Sequence, residues 1–156
     1  MKNIPIRFKL NGVSRQIEAA PNDTLLELLR DKLGVKSPKT GCDRGDCGTC
    51  TVFMDGVTVR SCLVLAPEAD GCEIVTLEGI SENPSRLQRE FAKRNSFQCG
   101  FCAPGVVLSA TELLQKHKKP SRAEIQEAIA GNLCRCTGYS PIIEAVEAAA
   151  GEEINP

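Results

Sequence analysis

Thiols are the side chains of this sequence that could do chemistry. The chain of 156 residues holds nine cysteines, and eight of them fall into two groups of four. The first group is Cys42, Cys47, Cys50 and Cys62, and the second group is Cys99, Cys102, Cys134 and Cys136. Four thiolates can bind a zinc ion or an iron–sulfur cluster. The first residues lack the apolar segment of a signal peptide, so metal binding explains these cysteines better than disulfides.

The first group lies in a glycine-rich loop whose spacing favours iron and sulfide. Cys42, Cys47 and Cys50 have the C-x4-C-x2-C spacing of plant-type [2Fe–2S] ferredoxins. Cys62 follows after eleven further residues, fewer than those ferredoxins use. Glycine lets backbone N–H groups approach the sulfurs and tolerates a positive φ. A zinc site with four cysteines is the alternative, but three cysteines within nine residues of such a loop favour a [2Fe–2S] cluster.

The second group consists of two cysteine pairs that are far apart in the sequence. Cys99 and Cys102 form a C-x2-C pair, and Cys134 and Cys136 form a C-x-C pair. This spacing alone also fits zinc. Beside the first group, a second [2Fe–2S] cluster is the better interpretation, because both pairs precede predicted helices whose N-terminal N–H groups stabilise thiolates. The ninth cysteine, Cys72, is interpreted as a small buried hydrophobic residue.

The elements that must position the first group read as a small sheet with one helix. Apolar residues alternate over Ile4–Leu10, Asn11-Gly12 is a hairpin signal, and a returning strand follows. A helix is predicted over 25–33, with a capping box at its start and Gly34 at its end. Further strands are predicted over 51–54, 57–59 and 74–76. We therefore expect a β-grasp, plant-type ferredoxin-like domain over residues 1–78.

The second half is predicted to be helical. Helices are expected over 85–95, 104–117, 121–131 and 140–150, and Ser85 and Ser121 each begin a capping box. These helices suggest a four-helix-bundle domain over residues 85–150 that holds the second cysteine group. Residues 79–84 read as a linker and residues 151–156 as a disordered tail. The predicted fold class is α+β, with the ferredoxin-like domain before the helical [2Fe–2S] domain.

Composition and charge exclude several classes of function. A net charge of −1, with 42% hydrophobic and 25% charged residues, is typical of a soluble globular protein. No basic stripe indicates nucleic-acid binding, no apolar run approaches the ~18 residues of a membrane span, and a cytoplasmic location is expected. The one histidine, His117, lies in a lysine-rich helix end, where a solvated side chain is expected. With no phosphate-binding glycine motif and no Ser/His/Asp pattern, we expect no catalytic residue in this chain.

Two phrases around the second group carry a family resemblance: QCGFCAPG over 98–105 and GNLCRCTGY over 131–139. With the first group before them, they resemble the small iron–sulfur subunit of the molybdenum hydroxylases, the xanthine dehydrogenase, aldehyde oxidoreductase and carbon monoxide dehydrogenase family. The resemblance extends over nearly the whole chain. It implies an electron-transfer subunit with two [2Fe–2S] clusters. Such a subunit relays electrons between a molybdopterin-type cofactor in a large partner subunit and either FAD in a medium subunit or an external acceptor.

Within that resemblance, two residues lie near the pterin. Gln98 matches a glutamine that hydrogen-bonds the pterin, and Cys136 matches the ligand whose surroundings touch the pterin amino group. The alternative for Gln98 is a polar residue at a helix end that binds no ligand. Two other functions stay open for the chain. One is a free-standing ferredoxin-like carrier or redox sensor, for which the helical half would be surplus, and the other is a zinc-stapled interaction module.

Overall fold

One five-stranded sheet and a set of helices beside it make up the described part of the chain. The computed structural model describes residues 2–80 and 85–151, so most of the expected linker and tail lies outside the described residues. The predicted α+β class is confirmed. The sheet has the order β2-β1-β5-β3-β4, in which β1 and β5 are parallel and the other neighbours antiparallel. Its strands are β1 (Ile4–Leu10), β2 (Val13–Ala19), β3 (Thr51–Met54), β4 (Val57–Arg60) and β5 (Glu73–Val75).

The β1–β2 hairpin forms where the alternating pattern predicts it. Asn11 and Gly12 have φ values of 51° and 78°, the two positive angles that a type I′ turn needs. Ile6, Phe8 and Leu10 are buried, and the residues between them are exposed. The hairpin therefore presents one apolar face to the core, as period-two alternation requires.

The helix after this hairpin departs from the regular helix predicted over 25–33. It starts at the predicted capping box of Thr24, which is confirmed, and its first turn is α1 (Leu25–Glu27). It then continues as a π-helical turn over Leu28–Lys32, in which the Leu33 N–H reaches a carbonyl oxygen five residues back at 3.1 Å. Hydrophobic spacing over two turns cannot separate an α turn from a π turn, since both bury a stripe of leucines.

The buried leucines of this helix face two different neighbours. Three of them join the core beneath the sheet: Leu25, Leu28 and Leu29. Leu26 instead packs against Cys50 and Cys62. The helix therefore covers one side of the first cysteine group with an apolar side chain.

Helices of the second half pack around a core of their own. They are α2 (Leu77–Ile80), α3 (Arg86–Lys93), α4 (Ala103–Lys116), α5 (Arg122–Ile129) and α6 (Ser140–Ala149). The last four agree with predicted helices within two residues at each end, and the capping boxes at Ser85 and Ser121 are present. The first was not predicted. Gly79 and Ile80, expected to open the linker, instead close a single turn that is too short to give a periodic signal.

Packing among these helices extends to the sheet. α3 packs against α6 and α4 against α5, and Phe53 of β3 enters the same core. Within residues 2–80 and 85–151, no helix is both long and apolar enough to cross a membrane.

A close backbone contact joins the first cysteine loop to the helical half. A Cβ built on Gly48 would lie 2.2 Å from the Gly131 carbonyl oxygen, and one built on Gly105 would lie 2.2 Å from the Gly48 carbonyl oxygen. Asn132, which is only 1% exposed, donates from its amide to the Gly48 carbonyl at 3.1 Å and accepts from the Ser109 hydroxyl at 2.8 Å. The absence of side chains at both glycines is therefore a steric requirement of this contact.

We predict that Gly105→Ala destabilises the protein, although alanine is ordinarily better than glycine inside a helix by roughly 1 kcal/mol. The new methyl group would push α4 away from the first cysteine loop, at a cost of about 1–3 kcal/mol in the free energy of unfolding. Thermal unfolding followed by circular dichroism would measure this as a lower midpoint.

Gly131→Ala is the matched control for that substitution. Its Cβ would meet the end of the Arg60 side chain at 2.5 Å, and that side chain can move. Wild-type stability in Gly105→Ala would contradict the steric role of the contact.

Candidate iron–sulfur sites

The β3–β4 hairpin brings the two ends of the first cysteine group together. Cys50 directly precedes β3 and Cys62 lies just after β4, and the pairing of Thr51 with Arg60 puts both cysteines at the open end of the hairpin. Their Sγ atoms are 3.4 Å apart. On the loop side, the Cys47 N–H points at the Cys42 Sγ at 3.4 Å. The structure therefore brings all four predicted residues to one place, as two adjacent pairs.

Electrostatics differ between the loop side and the hairpin side of this group. Backbone N–H groups of Arg44 and Cys47 lower the pKa of the Cys42 thiol to about 7. Burial, and then the neighbouring Cys50, raise the pKa of Cys62 to about 11. The loop thus offers preformed donors to thiolate sulfur, whereas the buried side needs a cation to stabilise the deprotonated ligand.

Glycines in the loop have the role that the sequence predicts for them. A Cβ on Gly41 would lie 2.8 Å from the Cys47 Sγ, so a side chain there would occupy the space next to the sulfur. Gly45 has a φ of 86°, and its N–H is one of the donors that act on Cys62. The chain wraps closely around the thiols because these positions carry no side chain.

The second group is assembled from the starts of two helices. Cys102 is the N-cap of α4, and Cys134 and Cys136 lie in the turns before α6. The Sγ atoms of Cys99 and Cys136 are 3.6 Å apart, and the thiols of Cys102 and Cys134 are hydrogen-bonded to each other. Each cysteine of the C-x2-C segment therefore pairs with one from the C-x-C segment.

The pKa values of the thiols in this group depend on burial and on local hydrogen bonds. It raises the pKa of Cys102 to about 12, while the Phe101 N–H, followed by the Cys136 thiol, lowers the pKa of the exposed Cys99. Burial also acts to raise the pKa of Cys134, but hydrogen bonds led by the Thr137 hydroxyl outweigh it and the net shift is downward. That hydroxyl oxygen lies 3.1 Å from the Cys134 Sγ.

Tyr139 supports the second group, and sequence reasoning missed it. It has a φ of 70°, in the left-handed region that a large side chain rarely adopts. Its hydroxyl accepts from the Cys134 N–H at 2.8 Å and donates to the Asn132 carbonyl at 3.2 Å. These two hydrogen bonds fix the backbone at the start of the C-x-C segment to the Tyr139 side chain. Its place at the end of the phrase GNLCRCTGY, three residues after Cys136, was its signal in the sequence.

The arrangement of the sulfurs separates a binuclear cluster from a single ion. In both groups the thiols meet as pairs: the Sγ atoms are 3.4 Å apart in Cys50 and Cys62 and 3.6 Å apart in Cys99 and Cys136. Tetrahedral zinc needs four donors around one point. A [2Fe–2S] cluster instead takes two thiolates at each of two irons, and pairs of thiols are what both groups offer. The donor sets therefore fit [2Fe–2S] clusters better than zinc.

The remaining residues singled out in the sequence lie as follows. Gln98 is exposed, and its amide donates to the Cys136 carbonyl at 3.1 Å. Cys72, expected to be buried, is only half-buried; it packs against the sheet core, with its Sγ 3.5 Å from the Glu68 carbonyl oxygen. His117 is exposed, with its Nδ1 3.8 Å from a carboxylate oxygen of Glu124.

Comparison with known protein families agrees with the donor sets. Residues 8–76 match the family model of a 2Fe-2S iron-sulfur cluster binding domain, and residues 76–147 match that of a [2Fe-2S] binding domain. The chain is thus an iron–sulfur protein with two such domains.

Individual relatives narrow the class. The nicotinate dehydrogenase small FeS subunit of Eubacterium barkeri is 48% identical over 151 residues, 96% of each chain. The xanthine dehydrogenase iron-sulfur-binding subunit of Escherichia coli O157:H7 is 46% identical over 93% of each chain. The crystal structure of quinoline 2-oxidoreductase from Pseudomonas putida 86 matches with a TM-score of 0.91 at 42% identity, covering 94% of this chain and 92% of the other. The chain belongs to the family of small iron–sulfur subunits of molybdenum hydroxylases.

We predict that Cys72→Ser leaves the iron and sulfide content unchanged, because the Cys72 thiol contacts the carbonyl of Glu68 and the sheet core. Cys47→Ser, the comparison variant, is expected to lose about half of the iron. Colorimetric iron and sulfide analysis of the two purified variants measures this. Loss of iron from Cys72→Ser would contradict the assignment of the other eight cysteines.

Proposed function

We propose that this chain is the electron-transfer subunit of a molybdenum-dependent hydroxylase or dehydrogenase. In this proposal Cys42, Cys47, Cys50 and Cys62 hold one [2Fe–2S] cluster in a β-grasp domain over 1–78, and Cys99, Cys102, Cys134 and Cys136 hold another in a four-helix domain over 85–150. Electrons pass between a molybdopterin-type cofactor in a large partner subunit and FAD in a medium subunit or an external acceptor. The clusters would supply reversible one-electron storage between these two ends.

Direct contact between the two cysteine loops is the observation that carries the proposal. The Leu133 N–H donates to the Cys47 carbonyl oxygen at 2.9 Å, and Leu133 is bonded to Cys134. One hydrogen bond and a few covalent bonds thus connect a ligand of the first group with a ligand of the second. A relay needs such a short connection, whereas two unrelated structural metal sites do not.

Each cysteine group also lies close to the surface, as a relay between two partners requires. Cys99 and Cys136 are exposed, and beside them Phe101 and Leu133 expose 45% and 55% of their surface. Next to Cys62, Leu63 is 61% exposed. In the proposed function, these exposed apolar side chains lie beside the cysteines at which the partners would contact the chain.

The exposure and the hydrogen bond of Gln98 support the pterin contact that the family resemblance implies for it. It is exposed beside Cys136, and its amide already bonds the carbonyl of that cysteine. A pterin that docks here would meet a side chain that is hydrogen-bonded directly to the backbone of a cluster ligand. We propose that Gln98 and the surroundings of Cys136 form the contact to the pterin of the large subunit.

Substrate chemistry is assigned to the partner. The single histidine of the sequence is exposed at a helix end, away from both cysteine groups. Eight cysteines that serve as thiolate ligands also suit a reducing compartment, and we propose the cytoplasm as the location.

The decisive test is low-temperature EPR of the dithionite-reduced protein, with iron and sulfide counted on the same sample. We expect two distinct S = ½ signals and about four irons and four sulfides per chain. Cys99→Ser should remove one signal and keep the other, because its group lies in the helical half. A single EPR signal, with half of that iron and with stoichiometric zinc, would show that the second group is a structural zinc site. That result would overturn the proposal.

We predict that Gln98→Ala, in the complete complex, slows the reduction of the clusters by substrate by a factor of a few to about ten, the effect expected from one lost hydrogen bond. Reduction by dithionite should keep its wild-type rate, since both clusters remain. Stopped-flow absorption measures both rates. Gln126→Ala on the exposed face of α5 is the matched control, and equal rates in all three proteins would contradict the pterin contact.

A further inference from the structure

Lys39 is anchored to the first cysteine loop by its backbone. Its N–H donates to the Thr49 carbonyl at 2.9 Å, and its carbonyl accepts from the Thr49 hydroxyl at 2.9 Å. The same hydroxyl oxygen lies 3.2 Å from the Cys47 Sγ. The main chain at Lys39 therefore cannot move independently of the first group.

The side chain of Lys39 extends in the other direction, to the second group. Its Nζ lies 5.4 Å from the centroid of the Phe101 ring and 3.4 Å from the Phe101 carbonyl oxygen. Phe101 stands between two ligands of the second group, and its N–H points at the Cys99 sulfur. An ammonium group held by one cysteine loop thus rests on the peptide that connects two ligands of the other.

Neighbouring charges act on this ammonium group through space: burial and then Arg30 lower the pKa of Lys39, and the Glu78 carboxylate opposes that shift. Within residues 2–80 and 85–151, no carboxylate lies at ion-pair distance from the Lys39 Nζ, whose other contact is the Ser37 carbonyl at 3.0 Å. The carboxylate of Glu78 is bonded instead to the Ser37 N–H and hydroxyl and to the Thr76 hydroxyl. The contacts of Lys39 with the ring and the carbonyl of Phe101 hold its ammonium group next to the second group.

Two other cations near the cysteine groups, Arg44 and Arg135, are screened more strongly. Arg44 in the first loop is exposed and forms an ion pair with Asp46 at 2.6 Å. Arg135, between two cysteines of the second group, is exposed to water. Charges in water are screened, whereas a partly buried charge acts at a lower effective dielectric constant. Lys39 is therefore better placed than either arginine to act on a cluster.

We propose that Lys39 sets the difference in reduction potential between the two clusters. It raises the potential of the cluster at Cys99, Cys102, Cys134 and Cys136, because that cluster gains one negative charge on reduction and a fixed positive charge stabilises the reduced form. The electron-sharing equilibrium then favours the second cluster, the one that faces the large subunit in the proposed function, on which this inference rests.

The experiment is an EPR-monitored redox titration of the protein with both clusters, in which Cys99→Ser identifies the signal of the second cluster. In Lys39→Met we expect the equilibrium constant for electron sharing to move by about three- to tenfold toward the first cluster, where tenfold equals ~59 mV for a one-electron couple. Lys39→Arg should keep the wild-type ratio within a factor of about two, because the charge stays. Lys36→Met, which removes an exposed charge from the same loop, should leave it unchanged.

A fourth variant separates charge from structure. Lys39→Gln can still donate to the Phe101 carbonyl but lacks the charge, and it should move the ratio as Lys39→Met does. The inference is overturned if Lys39→Gln keeps the wild-type ratio, if both clusters shift equally in Lys39→Met, or if Lys36→Met has the same effect. A wild-type protein with a single cluster signal would instead refute the proposed function, so the two failures are distinguishable.

Discussion

The rest of the structure depends on how closely the first cysteine loop approaches the helices. Gly48 and Gly105 meet with backbone atoms where any Cβ would collide, and buried Asn132 hydrogen-bonds across the contact. This approach lets Leu133 reach the Cys47 carbonyl. With a side chain at either glycine, the loops would separate and the hydrogen bond between ligand segments would lengthen. A steric constraint on two residues therefore controls the spacing of the two cysteine groups.

In the proposed function, each cysteine group combines thiols of lowered and of raised pKa to hold a negatively charged cluster. On one side lie thiols such as Cys42 and Cys99, whose pKa is lowered by loop N–H groups. On the other side lie thiols such as Cys62 and Cys102, whose pKa is raised because they are buried. Buried thiols give up their protons only to a metal, so cluster binding and burial of these side chains are coupled. In the proposed function, the exposed side keeps each cluster near the surface, where a partner can exchange electrons with it.

Local signals in the sequence predicted most of the secondary-structure elements and the grouping of the cysteines. They did not predict the contacts between distant segments. Capping boxes, the Asn11-Gly12 turn and the cysteine spacings are written in adjacent residues, and the structure agrees with the elements they predict. The π-helical turn at Leu28–Lys32 was not predicted, because its apolar spacing resembles that of an α-helix. The role of Tyr139 was not predicted, because it depends on the hydroxyl folding back onto the C-x-C segment.

The contact of Lys39 with Phe101 is another that local sequence signals do not predict. It also suggests why one chain carries both cysteine groups. In the sequence Lys39 is one of many lysines, and nothing local connects it with Phe101, which lies 62 residues away. In the fold, its backbone is bonded to the first cysteine loop and its ammonium group lies against Phe101 of the second group. Two separate proteins could hold two clusters, but a group fixed in one of them would lose its position relative to the other whenever they dissociated. In the proposed function, a single chain with a close backbone contact keeps the Lys39 charge and both clusters at constant distances, so the proposed difference in potential becomes a property of the fold.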